Sequence, residues 1–348
     1  MIHPLPDVNS PRPLAMTGKE SLMAHSCARL ALSFLFLLLA TVPASGAGSA
    51  AGGPAKPPWA VDLKVHYALG SHTSYEFGNP FPPYQTPLSR LEFPFDTWWG
   101  SLGVRRDFSR FSLGIEGRTN LSRRAESLFL DSDWDDEERP EVKTIYSESR
   151  CRVEPSYQFQ TDVDLKIADW LGLPPAFDLR PLAGFRWQRL SFTAHDGTQY
   201  YPAPGENRPP DSLPGDAIAF EQTYRLFFFG LKAAREWKNL PGIGRLKLRL
   251  QLDWAYVTAD NEDHHLLRAG RRFTYEKTTG DGWHALAGLD MALTERLDAT
   301  LEWDYLWIKT SGTHRWVNPE FEMNFSSDHG VVVWSQQQSL AVGLRYAF

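Results

Sequence analysis

Arg245-Leu-Lys-Leu-Arg-Leu-Gln-Leu-Asp-Trp-Ala-Tyr256 is the stretch of sequence that decides the fold. Every even-numbered residue from Leu246 to Tyr256 is apolar, and every odd-numbered residue from Arg245 to Asp253 is charged or polar. Because successive side chains of a β-strand point to opposite faces, this pattern predicts a strand with one apolar and one polar face. Strands of soluble sandwiches alternate too but are usually shorter, whereas about a dozen residues suit a tilted membrane strand.

The end of the chain repeats the alternation. Leu340, Val342, Leu344, Tyr346 and Phe348 occupy every second position up to the terminal residue. Such an ending resembles the signal by which outer-membrane proteins are recognised for barrel insertion. It predicts a last strand that faces lipid.

The first residues read as an export signal. Residues 23–29 form a short basic region, residues 30–42 are apolar, and the small residues at 43–47 suit cleavage. We therefore expect residues 1–47 to be an N-terminal extension and signal peptide that is removed, and residues 48–348 to form the barrel domain. The Pro-rich beginning favours a true start at Met16 or Met23.

Composition agrees with a membrane barrel. Aromatic residues reach 13%, with 13 Trp, 12 Tyr and 21 Phe, and barrels place such residues in girdles at both membrane interfaces. Beyond the signal, no apolar run is long enough for a membrane helix. A net charge of −6 gives no indication of nucleic-acid binding. After cleavage only Cys151 remains, so an internal disulfide is excluded.

Alternating segments and turn signals predict ten strands. They cover residues 60–74, 88–106, 109–123, 153–170, 177–198, 217–236, 244–261, 273–293, 299–311 and 335–348. Short gaps alternate with long polar gaps, at 75–87, 124–152, 199–216, 262–272 and 312–334, as periplasmic turns alternate with extracellular loops. The predicted fold is all-β: a closed, ten-stranded antiparallel transmembrane β-barrel that extends above the membrane on the extracellular side. Side chains fill so narrow a barrel, which disfavours a porin.

Two polar clusters fall in the long gaps. The first contains Asp131 and Asp133, and the second contains Asp263, His264 and His265. Taken separately, an acidic loop maintains solubility or binds a cation, and adjacent histidines are exposed or bind a transition metal. Both clusters belong to the extracellular rim. Carboxylates and an imidazole that meet there suit water activation, with the histidine as general base and an aspartate orienting it.

Further motifs resemble the omptin family of outer-membrane endopeptidases, which have ten-stranded barrels. Leu182-Ala-Gly-Phe-Arg-Trp-Gln-Arg-Leu-Ser-Phe-Thr-Ala194 is similar to the family's signature strand A-G-Y-Q-E-S-R-Y-S-F-T-A. Asp131-Ser-Asp133-Trp134 resembles the D-x-D-W of its first catalytic pair, and the segment before Arg271-Arg-Phe-Thr-Tyr275 resembles the region of its Asp-x-His dyad. The resemblance extends over essentially the whole mature chain.

Strand parity bears on which residues form the dyad. If even positions of the seventh strand face lipid, Asn261, Asp263 and His265 point inward and Glu262 and His264 point outward. Asp263 and His265 also preserve Asp-x-His. A β-bulge near the rim would reverse the choice in favour of His264.

The resemblance implies a substrate pocket with two acidic residues, and the sequence departs from it. Glu76 is the candidate for the first, although a one-residue shift puts Tyr75 there. Asn261 stands where the second acid is expected, which weakens selection for Arg or Lys. The family's Ser-x-His is replaced by Ser149-Arg-Cys151, so that histidine is missing.

The resemblance also implies a requirement for lipopolysaccharide, whose phosphates basic strand residues hold. Arg189 matches one such position, and Arg225 is a looser candidate because Thr223 occupies the nearest equivalent. Both also suit ordinary interface anchors.

The expected function is an endopeptidase of aspartic (Asp/His) type at the cell surface, with Asp131, Asp133, Asp263 and His265 as catalytic residues. The expected partners are peptide or protein substrates and lipopolysaccharide, and neither a metal nor a nucleic acid is implied. The alternative is a non-catalytic adhesin or structural barrel on the same scaffold.

Overall fold

The structure, a computed structural model, describes residues 58–79, 81, 85–242, 244–270 and 272–348. The predicted signal peptide at residues 1–47 lies outside the described residues, as do residues 48–57. Within these described ranges, no helix has the length and apolar character needed to cross a membrane.

Antiparallel β-strands form about three quarters of the described chain. They are β1 (Trp59–Ala68), β2 (His72–Phe77), β3 (Ser89–Pro94), β4 (Trp98–Asp107), β5 (Phe111–Asn120), β6 (Phe129–Asp133), β7 (Ile145–Val153), β8 (Tyr157–Leu165), β9 (Phe177–Tyr200), β10 (Asp211–Leu240), β11 (Gly244–His265), β12 (Arg272–Ala292), β13 (Leu297–Asn318) and β14 (Met323–Ala347). A 3₁₀ turn at Pro319–Phe321 joins the last two strands.

The strands close into a ring of ten. At the end that contains Trp59 and Phe348, the ring consists of β1, β4, β5, β8 and β9 to β14, and β1 pairs with β14 to close it. At the other end, β2, β3, β6 and β7 take the places of β1, β4, β5 and β8, and β7 pairs with β9. The first four long strands are therefore each interrupted once, and the predicted ten-stranded barrel is confirmed.

An outward apolar band surrounds the half of the barrel that contains Trp59 and Phe348. Leu63, Leu102, Ile115, Phe229 and Val342 are all more than half exposed on this face. Exposed large apolar side chains in a continuous belt are the mark of a lipid-facing surface. This half is the membrane-spanning part, and the other half extends beyond the outer leaflet.

The inward face at membrane level is packed with ion pairs. Lys64 Nζ lies 2.7 Å from Glu302 and 2.8 Å from Glu116, and Arg249 Nε lies 2.7 Å from Asp290. Buried charges require such pairing because each is removed from water. An internal cavity of about 40 Å³ beside His66 has room for only a few water molecules.

Aromatic side chains fill the barrel above this polar layer. Phe93 stacks on Phe220 with ring centroids 4.3 Å apart, and Phe192 and Tyr75 contact the same ring. This aromatic plug, formed by Phe93, Phe220, Phe192 and Tyr75, separates the polar interior of the membrane part from the extracellular cleft. It forms an apolar base beneath the side chains of the cleft.

Several strands continue further than alternation predicts. The gap predicted at 124–152 contains β6 and all but the end of β7, and the gap predicted at 312–334 contains the end of β13 and the start of β14. The prediction of loops there is wrong. Above the membrane the outward face of a strand no longer meets lipid and need not be apolar, so the alternation that marks a membrane strand is lost.

Candidate active site

The upper end of β11 carries an aspartate and a histidine on the inward face. Asp263 is fully buried, and His265 Nε2 lies 2.9 Å from its Oδ2. His264 lies between them on the outward face and stacks on Phe273 at 4.0 Å. Pairing of β11 with β12 is regular up to His265. No bulge therefore interrupts the alternation counted from Leu246.

Tyr75 on β2 supports the same aspartate from the side. Its hydroxyl donates a hydrogen bond of 2.5 Å to Asp263 Oδ2, and its ring is fully buried against Phe220. Burial opposes ionisation of Asp263, but the charge of His265 and the hydrogen bonds from His265 and Tyr75 outweigh it and lower the pKa of the carboxyl. Asp263 is thus a fixed, ionised partner for the imidazole.

Asp131 and Asp133 face this dyad from β6. Going round the ring, β6 and β11 are separated by β7, β9 and β10 on one side and by five strands on the other. Burial and then the charge of Asp133 raise the pKa of Asp131 to about 7, and the charge of His265 opposes this shift. Burial also raises the pKa of Asp133, against a hydrogen bond with Ser89. The pKa of the carboxyl is therefore lowered on the wall that carries Asp263 and raised on the wall that carries Asp131 and Asp133.

A second carboxylate–imidazole pair lies one step below the dyad. Asn261 pairs across strands with Glu276, and Glu276 Oε1 lies 2.8 Å from His314 Nδ1. All three side chains are at least nine-tenths buried, and no described residue satisfies either polar atom of Asn261. Sequence reasoning missed Glu276 and His314. The signal that could have found them is the register of the β11–β12 hairpin. Once the two strands are aligned, the inward positions of β12 follow from those of β11.

Glu76 is placed away from the dyad. It lies on the outward face of β2, and its Oε2 accepts a hydrogen bond of 2.8 Å from Arg90 Nε. The inward position belongs to Tyr75, the alternative that a one-residue shift allows. The structure thus brings Asn261 to the cleft and leaves Glu76 outside it, because side chains at consecutive strand positions point to opposite faces.

The two arginines expected to hold lipid phosphates face outward near the upper edge of the apolar band. Arg189 lies 2.6 Å from Glu221, and Arg225 lies 2.5 Å from Asp260. All four side chains are exposed. Each arginine thus already has a carboxylate partner of its own.

Cys151 occupies the position of the missing histidine. Its buried thiol lies 3.6 Å from the carbonyl oxygen of Pro94. It therefore faces the inside of the barrel and supplies no imidazole. Among the described residues, no cluster of three or more His, Cys, Asp or Glu side chains is arranged to hold a metal ion.

Fold and cleft together define an outer-membrane β-barrel that carries an imidazole and several carboxylates at its extracellular end. The chain belongs to the omptin family, because the sequence model of that family matches residues 97–348. The family membership predicted from the signature strand is confirmed.

Similar proteins agree with this placement. Protease 7 of Escherichia coli K12 is 29% identical over 175 residues, which are 49% of this chain and 52% of the relative. Outer membrane protease OmpP of the same strain is 26% identical over 162 residues, 45% of this chain and 48% of its own length. The matched regions thus span about half of each relative. The crystal structure of outer membrane protease OmpT from Escherichia coli shares the fold, with a TM-score of 0.74 at 16% identity, and covers 84% of this chain and 97% of OmpT.

Proposed function

We propose that this protein is a cell-surface endopeptidase of aspartic (Asp/His) type that hydrolyses peptide bonds with a water molecule activated by His265. The observation that carries the proposal is the buried Asp263, which contacts His265 at 2.9 Å and Tyr75 at 2.5 Å. A buried, doubly supported carboxylate beside an imidazole at a cleft is the arrangement that orients a general base.

His265 accepts the proton of the attacking water in this mechanism. Its Nε2 is directed at Asp263, which leaves the other ring nitrogen to accept a proton. Asp263 stabilises the imidazolium that forms. Tyr75 prevents the carboxylate from turning away, since the hydroxyl and the imidazole share Oδ2.

Asp131 and Asp133 position the water and stabilise the tetrahedral intermediate. Because the pKa of Asp131 is raised to about 7, this carboxyl retains a proton over part of the neutral range. A protonated carboxyl donates a hydrogen bond to the developing oxyanion, whereas an ionised one repels it. The raised pKa therefore suits the role of a proton carrier facing the base.

Basic residues are proposed to be favoured, but not strictly required, at the cleavage site. Asn261 is neutral and Glu76 faces outward, so neither supplies a charge to the cleft. Glu276 is the buried carboxyl beside Asn261, and it is shared with His314. A single shared carboxyl selects less strictly for a cation than two free ones.

Lipopolysaccharide is the proposed lipid partner, and Arg189 and Arg225 are candidates for contact with its phosphates. Their outward direction and their level at the upper membrane interface support this. A phosphate at either arginine would have to compete with its carboxylate partner.

The proposal is tested with quenched fluorescent peptides and outer membranes that contain the protein. We expect His265→Ala and Asp263→Ala to lower kcat/KM by about a hundred- to ten-thousand-fold, the usual contribution of a positioned base. His264→Ala is the matched control, because it removes an imidazole from the outward face of the same strand end. It should retain nearly full activity.

Three results would contradict the assignment. Loss of activity in His264→Ala alone would exchange the two histidines. Equal cleavage by all variants would show that Asp263 and His265 are not a catalytic dyad. If the wild-type barrel cleaved no member of a peptide library, the alternative function as a non-catalytic adhesin or structural barrel would be favoured. In an active protein, the same library gives the residue preference at the cleavage site.

A further inference from the structure

An arginine that has no role in the proposed mechanism lies beside the dyad. Arg272 is the first residue of β12 and the direct cross-strand partner of His265 at the end of β11. Cross-strand partners of an antiparallel pair share a face, with Cβ atoms about 4.5–5.5 Å apart. Thr274 and Glu276, the next residues on the same face of β12, are buried inside the barrel. Arg272 therefore points into the cleft at the level of the proposed general base.

Trp316 holds the guanidinium of Arg272 in place. The Cζ atom lies 5.5 Å from the centroid of the Trp316 ring, which is within the range of a cation–π contact. Trp316 is fixed in turn, because it pairs with Thr274 across β12 and β13 and meets the ring of Phe77 edge-on at 5.5 Å. A group that is positioned before its ligand arrives loses less conformational entropy on binding. Arg272 is thus prepared to bind a ligand in the cleft.

Arg272 lies near the carboxylates of the cleft without forming an ion pair with any of them. Burial is the largest influence on the pKa of Asp263 and raises it, and the charge of Arg272 is among the influences that lower it. Burial likewise raises the pKa of Asp133, and the charge of Arg272 opposes that shift. Within the ranges that the structure describes, no carboxylate oxygen lies within 4.0 Å of the Arg272 guanidinium. Its N–H donors are therefore available to a carboxylate that enters the cleft.

The spacing of Arg272 from the dyad limits where such a carboxylate sits in a substrate. The water activated by His265 attacks a bond beside that imidazole, and Arg272 lies one strand away, a spacing of about 4.7–4.9 Å. An extended peptide advances about 3.3 Å per residue. A side chain that reaches Arg272 therefore belongs to a residue within about two positions of the cleaved bond.

Glu276 gives the same wall the opposite charge at a deeper level. It follows Arg272 by four residues on the inward face of β12, which is about 13 Å of extended strand. Glu276 is also the carboxyl to which the proposed preference for basic residues is assigned. The two levels therefore suit different side chains of one substrate, a basic one towards Glu276 and an acidic one towards Arg272.

We propose that Arg272 is a specificity-determining residue that binds the carboxylate of an aspartate or glutamate close to the cleaved bond. The preferred substrate is then a peptide with an acidic side chain within about two positions of the cleavage site, in addition to the basic one. The inference rests on the proposed peptidase function, but peptide binding tests Arg272 without any cleavage.

The first arm of the test measures kcat/KM for quenched peptides that differ only in Glu, Gln or Lys at each position near the cleavage site. At one position, we expect the wild-type barrel to cleave the Glu peptide at least about tenfold better than the Gln peptide, the value of a charge-assisted hydrogen bond. Arg272→Gln should bring this ratio close to one, and Arg272→Glu should favour the Lys peptide. Arg272→Lys should keep part of the ratio, because it retains the charge without the planar fork.

Arg315→Gln is the matched control. Arg315 lies on the neighbouring strand β13 opposite Tyr275, on the outward face, and its Nε contacts Asn324 at 2.9 Å. The variant removes one guanidinium at nearly the same height as Arg272 but outside the cleft. It should keep the wild-type ratio between the Glu and Gln peptides.

The second arm separates this inference from the peptidase proposal. Fluorescently labelled Glu and Gln peptides are titrated with the His265→Ala barrel, which should not cleave them, and binding is followed by fluorescence anisotropy. The Glu peptide should bind about tenfold more tightly, and adding Arg272→Gln should abolish the difference. Selective binding without cleavage by the wild type would support the carboxylate site and contradict the peptidase proposal.

Three results would overturn the role of Arg272. The first is equal binding of the Glu and Gln peptides by His265→Ala. The second is a Glu preference that persists in Arg272→Gln. The third is an equal loss of cleavage of both peptides in Arg272→Gln with the ratio unchanged, which would mean that Arg272 acts on the dyad and not on the substrate. Resistance of each variant to SDS without boiling shows that it is folded.

Discussion

Asp263 is the residue on which the cleft depends. A carboxylate with no exposed surface is costly unless its charge is compensated, and here an imidazole and a phenol provide the compensation at Oδ2, whereas Oδ1 has no hydrogen-bond partner among the described residues. Parity along β11 was sufficient to place this residue and His265 inside the barrel. The contact with Tyr75 was beyond sequence reasoning, because the two residues are 188 positions apart.

The pKa of Asp131 is shifted in the opposite direction to that of Asp263, and this shift makes the stability of the fold depend on pH. Its pKa is raised from 3.8 to about 7, first by burial and then by Asp133. Between these pH values the folded protein still binds a proton that the unfolded chain has released. The stability that this group contributes is therefore fully present below about pH 4 and is lost as the pH rises to about 7.

We predict that Asp131→Asn is more stable than the wild type at pH 8, by about 1–3 kcal/mol after allowance for its partial exposure, and nearly equal to it at pH 4. The amide has the same shape and does not ionise. Urea unfolding of the barrel in vesicles at both pH values measures the difference. Asp135→Asn, which removes an exposed carboxylate from the next part of the chain, is the control. A difference that is the same at both pH values would contradict the titration of Asp131.

At the scale of strands, alternation predicted the membrane part and failed above it. The fifth strand was expected at 177–198 and is observed at Phe177–Tyr200, and the eighth was expected at 273–293 and is observed at Arg272–Ala292. By contrast, β14 was expected from 335 but begins at Met323. Lipid imposes an apolar outer face only within the bilayer. The polar Asp131 and Asp133 were consequently assigned to a loop although they lie in β6.

Strand β2 allows the assignment of its two faces to be tested with adjacent residues. Tyr75 points inward to Asp263, and Glu76 points outward to Arg90. We predict that Tyr75→Phe lowers kcat/KM by about tenfold, the value of one hydrogen bond to a charged group, and moves the acid limb of the pH profile upward. The direction follows because the Tyr75 hydroxyl lowers the pKa of Asp263.

Two variants act as controls for this pair. Glu76→Gln should change kcat/KM by less than about twofold, because Glu76 contacts Arg90 on the outward face and does not contact the dyad. Tyr224→Phe removes a buried hydroxyl that contacts Thr73 instead of the dyad, and its acid limb should stay in place. A large loss of activity in Glu76→Gln with a silent Tyr75→Phe would mean that the two residues face the other way.

At the scale of the whole molecule, closure of the ring holds the two levels of the barrel together. β1 pairs with β14 from Ala60 to Ala68, and the backbones of Trp59 and Phe348 exchange hydrogen bonds of 3.3 and 3.0 Å beyond the end of this ladder. A closed barrel has no free strand edge, so every backbone group within the bilayer finds a partner inside the sheet. Below the aromatic plug, the paired charges of the interior add cross-links between strands.

Closure predicts how the protein behaves in detergent and which residue its assembly needs. The folded barrel should resist SDS at room temperature and change its gel mobility only on boiling, because SDS finds no unpaired edge from which to open the ring. Phe348 is half exposed on the lipid face next to Tyr346. Its deletion removes an aromatic interface anchor together with the final pair of closing hydrogen bonds, and we expect the heat-modifiable fraction in outer membranes to fall several-fold. Phe348→Tyr preserves both features and should assemble normally. If the truncated protein assembled as well as the wild type, the ring would be held by the remaining β1–β14 ladder alone.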